Sequence, residues 1–220
     1  MRGAVVMAAG AGRRMGLIPK SLLRRGGEPL LLRQLRLLRA AGVERIAVVL
    51  GHHAPALRAA LQQCGPGVSL AVNPAPDDGP GGSLRCGLAA LGDDVDEILV
   101  LLGDQPLLEL QDVQAVQAAW RTRPAGVELA VPWHDGQPGH PIAFGAALRT
   151  AILRSEGGLG VREWRRAHPQ QVLAVPMDHA RCTTDVDTPE DLQRLQRTHG
   201  VRLEFEGLSP RVRPTGPAGP

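Results

Sequence analysis

Short apolar runs alternate along this chain with longer segments in which apolar residues recur every three or four positions. The short runs are rich in Val, Ile and Leu, which is typical of strands buried on both faces, and they cover residues 4–7, 46–50, 68–72, 98–102 and 129–131. The longer segments have the spacing of amphipathic helices and cover residues 29–41, 55–63, 82–91 and 111–123. This alternation predicts an α/β fold with a mostly parallel sheet that helices cover on both faces.

The pattern changes after residue 131. A polar segment with Gly and Pro, residues 133–139, joins two apolar stretches and predicts a hairpin-like excursion that returns at 141–144. Two further helices are predicted, one at residues 146–154 and one that ends at residue 167. A late strand is predicted at residues 172–175. We expect one domain over residues 1–199, and a disordered tail over residues 200–220, because the end of the chain is rich in proline and glycine.

Composition excludes several classes of function. Only 2% of the 220 residues are aromatic and none is tyrosine, which argues against a single-stranded nucleic-acid binder that stacks bases on aromatic rings. The net charge of +3 is dispersed, and the pairs Arg24-Arg25 and Arg165-Arg166 are interpreted as solvated. No stretch approaches the roughly 20 apolar residues of a membrane span, and the three cysteines form no CxxC pair. We therefore expect a cytoplasmic protein without nucleic-acid or membrane partners.

A glycine-rich loop follows the first predicted strand. Gly10 and Gly12 allow the backbone to approach a phosphate closely. Arg14 adds a planar guanidinium and Lys20, the single lysine among 25 basic residues, adds a compact ammonium. The loop is neither a dinucleotide-binding fingerprint, which needs glycine at Met15, nor a Walker loop, which ends in GK[ST]. The sequence therefore predicts a phosphate-binding loop of another kind.

Carboxylates follow the glycine-rich loop at two places. Asp104 comes directly after the strand at 98–102, and ligands of such sheets bind beyond the carboxyl ends of the strands. Asp185 and Asp187 alternate along an extended segment just before Thr188, where a proline and two acids predict the last helix. Mg²⁺ takes one or two carboxylates together with water and phosphate. An ordinary turn role for Asp104, and helix capping by Thr188 or Asp187, are the alternatives.

Two further segments are candidates for substrate contacts. His140 lies between Gly139 and Pro141, so its backbone is restrained; we expect it to position a substrate, with a role as general base as the alternative. Asn73 and residues 79–84 form a small-residue turn that leads into a helix. Such a turn suits the base or ribose of a nucleotide, although simple capping of the helix explains it almost as well.

Taken in order, these motifs resemble those of the molybdenum cofactor cytidylyltransferases, within the wider MobA-like nucleotidyltransferase family. The resemblance covers residues 3–199, and its matching residues are Ala8-Ala9-Gly10-x-Gly12-x-Arg14-Met15-Gly16 with Pro19-Lys20, Gly81-Gly82-Ser83-Leu84, Gly103-Asp104-Gln105-Pro106, Gly139-His140-Pro141 and Asp185-x-Asp187-Thr188-Pro189-Glu190-Asp191. Leu17 and Ile18 depart from it, because close relatives more often carry small or polar residues before the Pro-Lys pair.

The resemblance implies a Rossmann-like three-layer α/β/α nucleotidyltransferase. It implies Mg²⁺-dependent transfer of CMP from CTP to a phosphate of molybdopterin, with release of pyrophosphate. By position, it makes Arg14, Lys20 and Asp104 catalytic and places Mg²⁺ on Asp104 and Asp187. His140 would contact the acceptor, and the nucleotide would be bound by Ala8, Ala9, Gly10, Gly12, Arg14, Lys20, Ser83 and Asp104.

Several alternatives stay open at this point. One is transfer of GMP from GTP to the same cofactor, although the form Ala8-Ala9-Gly10 favours CTP. Another is transfer to a different phosphorylated acceptor, such as a sugar phosphate. A third is a non-catalytic protein that handles the cofactor and docks onto a client molybdoenzyme or its chaperone. The presence of both Asp104 and Asp187 favours an enzyme.

Overall fold

The computed structural model describes residues 1–62, 64–155 and 160–205. Its strands, in chain order, are β1 (Arg2–Ala8), β2 (Arg24–Arg25), β3 (Glu28–Pro29), β4 (Arg45–Leu50), β5 (Val68–Val72), β6 (Glu97–Leu102), β7 (Leu129–His134), β8 (Gln137–Pro138), β9 (Ile142–Phe144), β10 (Val172–Pro176) and β11 (Leu203–Glu204). Its α-helices are α1 (Leu30–Ala40), α2 (Ala54–Ala60), α3 (Pro80–Ala90), α4 (Leu110–Arg121), α5 (Ala146–Arg154), α6 (Val161–Ala167) and α7 (Pro189–His199). Among the helices of these ranges, none has the length and apolar content to cross a membrane.

The main sheet confirms the predicted α/β architecture. Its strand order is β10-β7-β9-β6-β1-β4-β5, with β8 paired to β7. The pairs that β1 forms with β4 and with β6 are parallel, as are β4–β5 and β10–β7. Strand β9 runs antiparallel to both of its neighbours, β6 and β7. The excursion predicted after residue 131 is therefore real, and its returning strand enters the middle of the sheet.

Aliphatic side chains form the core between the layers. Strands β1 and β4 are buried along almost their whole length, as expected for strands that helices cover on both sides. Helices α1 and α4 pack against each other, as do α3 and α5. Gly87 of α3 lies so close to the sheet that an added Cβ would be 2.4 Å from Val5 Cγ1. The carboxyl ends of the parallel strands meet at one edge, which carries the motifs singled out in the sequence.

A second, smaller sheet has the order β11-β2-β3 and is antiparallel. Beneath it lies a separate apolar cluster built on Met15, Leu23, Leu30, Leu107, Val186 and Leu195, with Leu203 and Phe205 packed against it. The prediction of a disordered tail from residue 200 is therefore wrong for residues 200–205, because β11 pairs with β2. Residues 206–220 lie outside the described residues, and for them it stays a prediction.

Candidate active site

The glycine-rich loop closes on itself through Gly12. This residue has φ 63° and ψ 30°, and a Cβ added there would lie 2.1 Å from the carbonyl oxygen of Ile18, so no side chain fits. The Gly12 carbonyl accepts hydrogen bonds from the N–H groups of Met15 and Leu17 at 2.9 and 3.0 Å. Around Gly10, by contrast, a Cβ would meet nothing within 4 Å. In the described part of the chain the N–H groups of residues 10–12 donate to no acceptor, so they are available to an anion.

Two histidines that follow β4 hold this loop in place, and the sequence motifs did not indicate them. His53 donates from Nε2 to the carbonyl of Ala11 at 2.9 Å. His52 contacts Asp77 at 3.0 Å, and Asp77 also pairs with Arg13 at 2.8 Å. These contacts connect the loop after β1 to the segments after β4 and β5, so three neighbouring strand ends share one surface.

Lys20 is the centre of the charged cluster. It begins the short 3-10 turn Lys20–Leu22, and its Nζ lies 2.5 Å from Asp104 Oδ2 and 2.7 Å from Asp187 Oδ1. Arg14 pairs with the other oxygen of Asp187 at 2.5 Å. The Lys20 side chain is 15% exposed and that of Arg14 is 69% exposed. The structure therefore brings together Arg14 and Lys20 of the loop after β1 with Asp104 and Asp187, which come from two distant segments of the chain.

The charges in this cluster shift the pKa values of three groups. Burial works to lower the pKa of Lys20, but the charges and hydrogen bonds of Asp104 and Asp187 together outweigh it and raise that pKa. Burial acts against ionisation of Asp187, yet Lys20 and Arg14 lower its pKa. Burial raises the pKa of Asp185, and the charges of Asp104 and Asp187 raise it further. Asp185 is thus a neighbour of the cluster whose negative charge the cluster disfavours.

The start of α7 fixes the position of Asp187. The hydroxyl of Thr188 accepts from the N–H of Asp191 at 3.3 Å, and Asp191 Oδ2 accepts from the N–H groups of Asp187 and Thr188 at 2.9 and 2.8 Å. Although burial opposes it, these bonds lower the pKa of Asp191. Thr188 is therefore the helix cap, and the side chain of Asp187 points to Lys20 and Arg14.

One carbonyl oxygen, that of Cys182, joins two of the predicted motifs. It accepts from Gln105 Nε2 at 2.8 Å and from the N–H of His140 at 2.9 Å. A Cβ on Gly139 would lie 2.3 Å from this oxygen, so glycine is required for the close approach. The carbonyl of Gln105 in turn accepts from Gln34 at 2.7 Å. The loop that carries Asp104 and the loop that carries His140 are thus fixed to the same point.

A cavity of about 790 Å³ lies beside this point. Residues at the ends of β1, β6 and β7 and the first turns of α3 and α6 form its walls, among them Met7, Leu102, Trp133, His140, Gly81 and Arg165. Leu102 lies two positions before Asp104, so the cavity adjoins the charged cluster. The volume is within the range of about 300–1,000 Å³ that small-molecule pockets occupy.

His140 and Ser83 have different relations to this cavity. Burial, with a contribution from the charge of Arg165, lowers the pKa of His140 to about 4, so its imidazole is neutral near pH 7 and a weak base. Ser83 is buried and its hydroxyl accepts from Asn73 Nδ2 at 2.9 Å. Gly81 and Leu84 line the cavity, whereas Ser83 points into the protein against Asn73.

The carboxylates of the cluster suit a hard divalent cation that arrives with its own oxygen ligands. Asp104 and Asp187 converge on a single point, which the ammonium of Lys20 takes in this structure. Within the described residues no group of three or more His, Cys, Asp or Glu side chains is arranged to hold a metal ion. A pair of carboxylates completed by phosphate and water is the kind of site that Mg²⁺ accepts.

Comparison with known proteins identifies the family. Residues 4–172 match the model described as the MobA-like NTP transferase domain. The chain belongs to the MobA-like NTP transferase family. The matched residues include the glycine-rich loop, Lys20, Asp104 and His140, and they end before Asp185 and Asp187.

Individual relatives extend the similarity over most of the chain. Nicotine blue oxidoreductase of Paenarthrobacter nicotinovorans is 32% identical over 199 residues, which cover 87% of this chain and 94% of that protein. The bifunctional protein GlmU of Kineococcus radiotolerans is 40% identical over 172 residues, or 76% of this chain, but these cover only 33% of GlmU. The relatives of this chain thus carry names from more than one class of enzyme.

A solved structure supports the same family fold. Rv0371c from Mycobacterium tuberculosis superposes with a TM-score of 0.73 at 28% identity, covering 90% of this chain and 99% of Rv0371c. The same protein has been crystallised in complex with manganese, and that structure superposes with a TM-score of 0.68.

Proposed function

We propose that this protein is a Mg²⁺-dependent nucleotidyltransferase that transfers CMP from CTP to molybdopterin and releases pyrophosphate. The observation that carries the proposal is the meeting of Lys20, Asp104 and Asp187 at the edge of the sheet where β1 and β6 end. A cavity large enough for an acceptor opens at the same strand ends. Membership of the MobA-like family supports nucleotidyl transfer. The order of the sequence motifs supports the cytidylyl branch.

In this proposal the glycine-rich loop binds the triphosphate. The N–H groups of residues 10–12 and the exposed guanidinium of Arg14 offer donors to phosphate oxygens. Lys20 lies deeper and provides one compact positive charge. Such donors stabilise the charge that develops on a departing pyrophosphate, and fixed donors need no reorganisation during the reaction. Attack on the α-phosphorus needs mainly positioning and neutralisation of charge.

Asp104 and Asp187 would hold the metal ion, with triphosphate and water as its remaining ligands. A bound Mg²⁺ supplies Lewis-acid polarisation of the α-phosphate. The manganese complex of Rv0371c supports the use of a divalent cation in the family. His140, neutral at pH 7 because of its lowered pKa, would position the acceptor in the cavity.

The test is pyrophosphate release with Mg²⁺ and molybdopterin, with CTP, GTP, ATP and UTP offered separately. We expect release with CTP, abolished in Asp104→Asn and retained in Asp94→Asn, since Asp94 forms a surface ion pair with Arg45 away from the site. Release with GTP alone would overturn the base assignment and keep the reaction. Release only with a sugar phosphate as acceptor would overturn the cofactor assignment.

A second candidate function is an oxidoreductase, which the name of the relative from Paenarthrobacter nicotinovorans favours. Under this alternative the cavity would hold a reducible ring and no pyrophosphate would be released. Redox turnover of nicotine blue, followed by the change in its colour, together with no release of pyrophosphate from any nucleotide, would replace the transferase proposal.

A further inference from the structure

Three arginines on α6 line the cavity. Arg162, Arg165 and Arg166 all contribute to its wall, and in the described ranges none of them forms an ion pair. The one carboxylate that lines the cavity beside them, that of Glu163, accepts from the N–H of Gly160 at 3.2 Å. Clustered cations of this kind at the wall of a pocket attract an anion.

The electrostatic state of Arg165 reflects this crowding. Burial lowers its pKa, and the charges of Arg166 and Arg162 lower it further. A bound anion would relieve the repulsion among the three guanidinium groups. Among the described residues no carboxylate forms an ion pair with these guanidinium groups, so the cavity offers an anion a positively charged site.

Trp133 adds a flat surface to the same wall. The Arg165 Cζ lies 5.3 Å from the centre of the Trp133 ring, and Trp133 lines the cavity at the end of β7. The two other tryptophans, Trp120 and Trp164, are buried in the core at 3% and 6% exposure. Arg165 thus lies over the face of the Trp133 ring, and indole and guanidinium groups both present planar surfaces on which a planar ring can stack.

The remaining lining is poor in groups that recognise a sugar. Most of it is aliphatic, from Met7, Leu84, Val100, Leu102, Val131 and Ile142. The polar side chains on it, apart from the three arginines and Glu163, are Gln137 and His140. A sugar brings several hydroxyl groups that lose hydrogen bonds to water on entry, whereas a heteroaromatic ring carries its polar groups at its edge and leaves two flat faces that can contact an aliphatic lining.

We propose that Trp133 and the three arginines Arg162, Arg165 and Arg166 form the acceptor subsite, which takes a planar heteroaromatic ring with an anionic substituent. The ring stacks beside Trp133 and Arg165, and the anionic group lies among the guanidinium groups. This assignment rests on the proposed function, because it takes the cavity as the acceptor side of a transferase. It places selectivity for the acceptor on α6, which none of the sequence motifs includes.

Calorimetric titration without metal or nucleotide tests the subsite directly. The probes are pterin-6-carboxylate, the uncharged 6-methylpterin, and N-acetylglucosamine 1-phosphate. We expect pterin-6-carboxylate to bind more tightly than either of the others, and more weakly as the salt concentration rises. Arg165→Gln should weaken its binding by about tenfold, the loss of one charge-assisted contact. Trp133→Leu should weaken the binding of both pterins.

The matched control is Arg197→Gln, on an exposed position of α7, which should bind the probe as the unaltered protein does. If Arg165→Gln does not fold, Arg162→Gln and Arg166→Gln, at exposed positions, provide the same comparison. Equal binding of the charged and uncharged pterins, or tighter binding of the sugar phosphate, would overturn the proposal.

Steady-state kinetics of the transfer reaction show whether the subsite or the proposed function is at fault if one of them fails. With molybdopterin as acceptor, Arg165→Gln should raise the KM for the acceptor while the KM for CTP stays unchanged. Pyrophosphate release that is identical in Arg165→Gln would refute the subsite and leave the transferase intact. Tight, arginine-dependent binding of the pterin probe without pyrophosphate release would keep the subsite and refute the transferase.

Discussion

Lys20 differs from the arginines of the site in the size of its charged group. An arginine at this position would carry a wide guanidinium, whereas the ammonium of Lys20 fits between two carboxylate oxygens, at 2.5 and 2.7 Å. Both carboxylates, and a triphosphate when it binds, can share this one compact charge. The choice of lysine in a chain with a single lysine among 25 basic residues is thus explained by the size of the space.

We predict that Lys20→Ala lowers kcat far more than it lowers nucleotide affinity, by about 10²- to 10³-fold in kcat, the usual cost of removing one donor to a developing charge. Single-turnover rates together with equilibrium binding of CTP measure the two effects separately. Arg45→Ala is the matched control, because Arg45 forms a surface ion pair with Asp94 away from the site. Equal losses in rate and affinity would show that Lys20 binds the ground state and the transition state alike.

The lowered pKa of His140 predicts that the stability of the folded protein decreases in acid. Its pKa falls from an ordinary 6.5 to about 4 because the folded protein buries the imidazole. The unfolded chain therefore takes up a proton near pH 6.5 while the folded protein does not, so the contribution of His140 to stability is complete above that pH and is lost as the pH falls towards 4.

The expected result is a shallower decline in the free energy of unfolding of His140→Gln between pH 6.5 and pH 4 than in the unaltered protein. Denaturation with urea across this range measures it. Asp187 and Asp191, whose pKa values are lowered from 3.8, act below this window, and Glu28, whose pKa is lowered from 4.5, acts at its lower end and equally in both proteins. Parallel declines in the two proteins would contradict a buried neutral imidazole.

At the scale of elements, two glycines of helix α3 differ in whether the packing around them leaves room for a side chain. A Cβ on Gly87 would lie 2.4 Å from Val5 Cγ1 and 2.7 Å from Val49 Cγ2, whereas a Cβ on Gly82 would meet only Asn73 Nδ2, at 3.6 Å. Gly87 therefore sets the distance between the helix and the sheet, and Gly82 does not.

We predict that Gly87→Ala lowers the free energy of unfolding by about 1–3 kcal/mol, the usual cost of overpacking a core. Gly82→Ala should raise it by about 0.5–1 kcal/mol, because alanine loses less freedom than glycine on entering a helix. Thermal or urea denaturation of the two variants provides the comparison. A destabilised Gly82→Ala together with an unaffected Gly87→Ala would contradict the packing of α3 described here.

The elements differ in how far the sequence could predict them. Long periodic segments such as β6 and α4 were predicted within a few residues, because their burial pattern is local. Strands β2, β3 and β11 have two residues each, too few for any periodicity. Arg25, interpreted as solvated, in fact donates to the carbonyl of Pro106 at 2.9 Å, a partner that only the folded chain brings near.

For the site, the sequence predicted the charged residues but not the cavity. Asp104 and Asp187 could be predicted because each follows a strand or precedes a helix start. The cavity is assembled from side chains of β1, β6, β7, β9, α3 and α6, and no short motif contains them. Arg165 and Arg166 were interpreted as a solvated pair for the same reason.

At the scale of the whole molecule, the small sheet and its apolar cluster connect the end of the chain to the site. Val186 lies in this cluster between Asp185 and Asp187, and Leu203 and Phe205 pack against it. The segment after α7 thus supports the backbone that carries one of the carboxylates. Loss of this segment should therefore disturb the contact between Asp187 and Lys20 and also lower the overall stability.

We predict that a chain ending at His199 loses about 2–4 kcal/mol of stability, since it gives up the partly buried side chains of Val201, Leu203 and Phe205, and that its kcat falls too. A chain ending at Phe205 is the matched control and should keep both. Denaturation and pyrophosphate release measure the two quantities. Full stability of the shorter chain would show that the small sheet is dispensable.

The position of β9 also bears on the order in which the protein can fold. The strand lies between β6 and β7 in the sheet although it follows both in the chain. Until residues 142–144 have left the ribosome, the strands can form only two parts with open edges, β6-β1-β4-β5 on one side and β7 with β8 on the other. Such edges are surfaces for mispairing. The two parts can therefore join during synthesis only after most of the chain has left the ribosome.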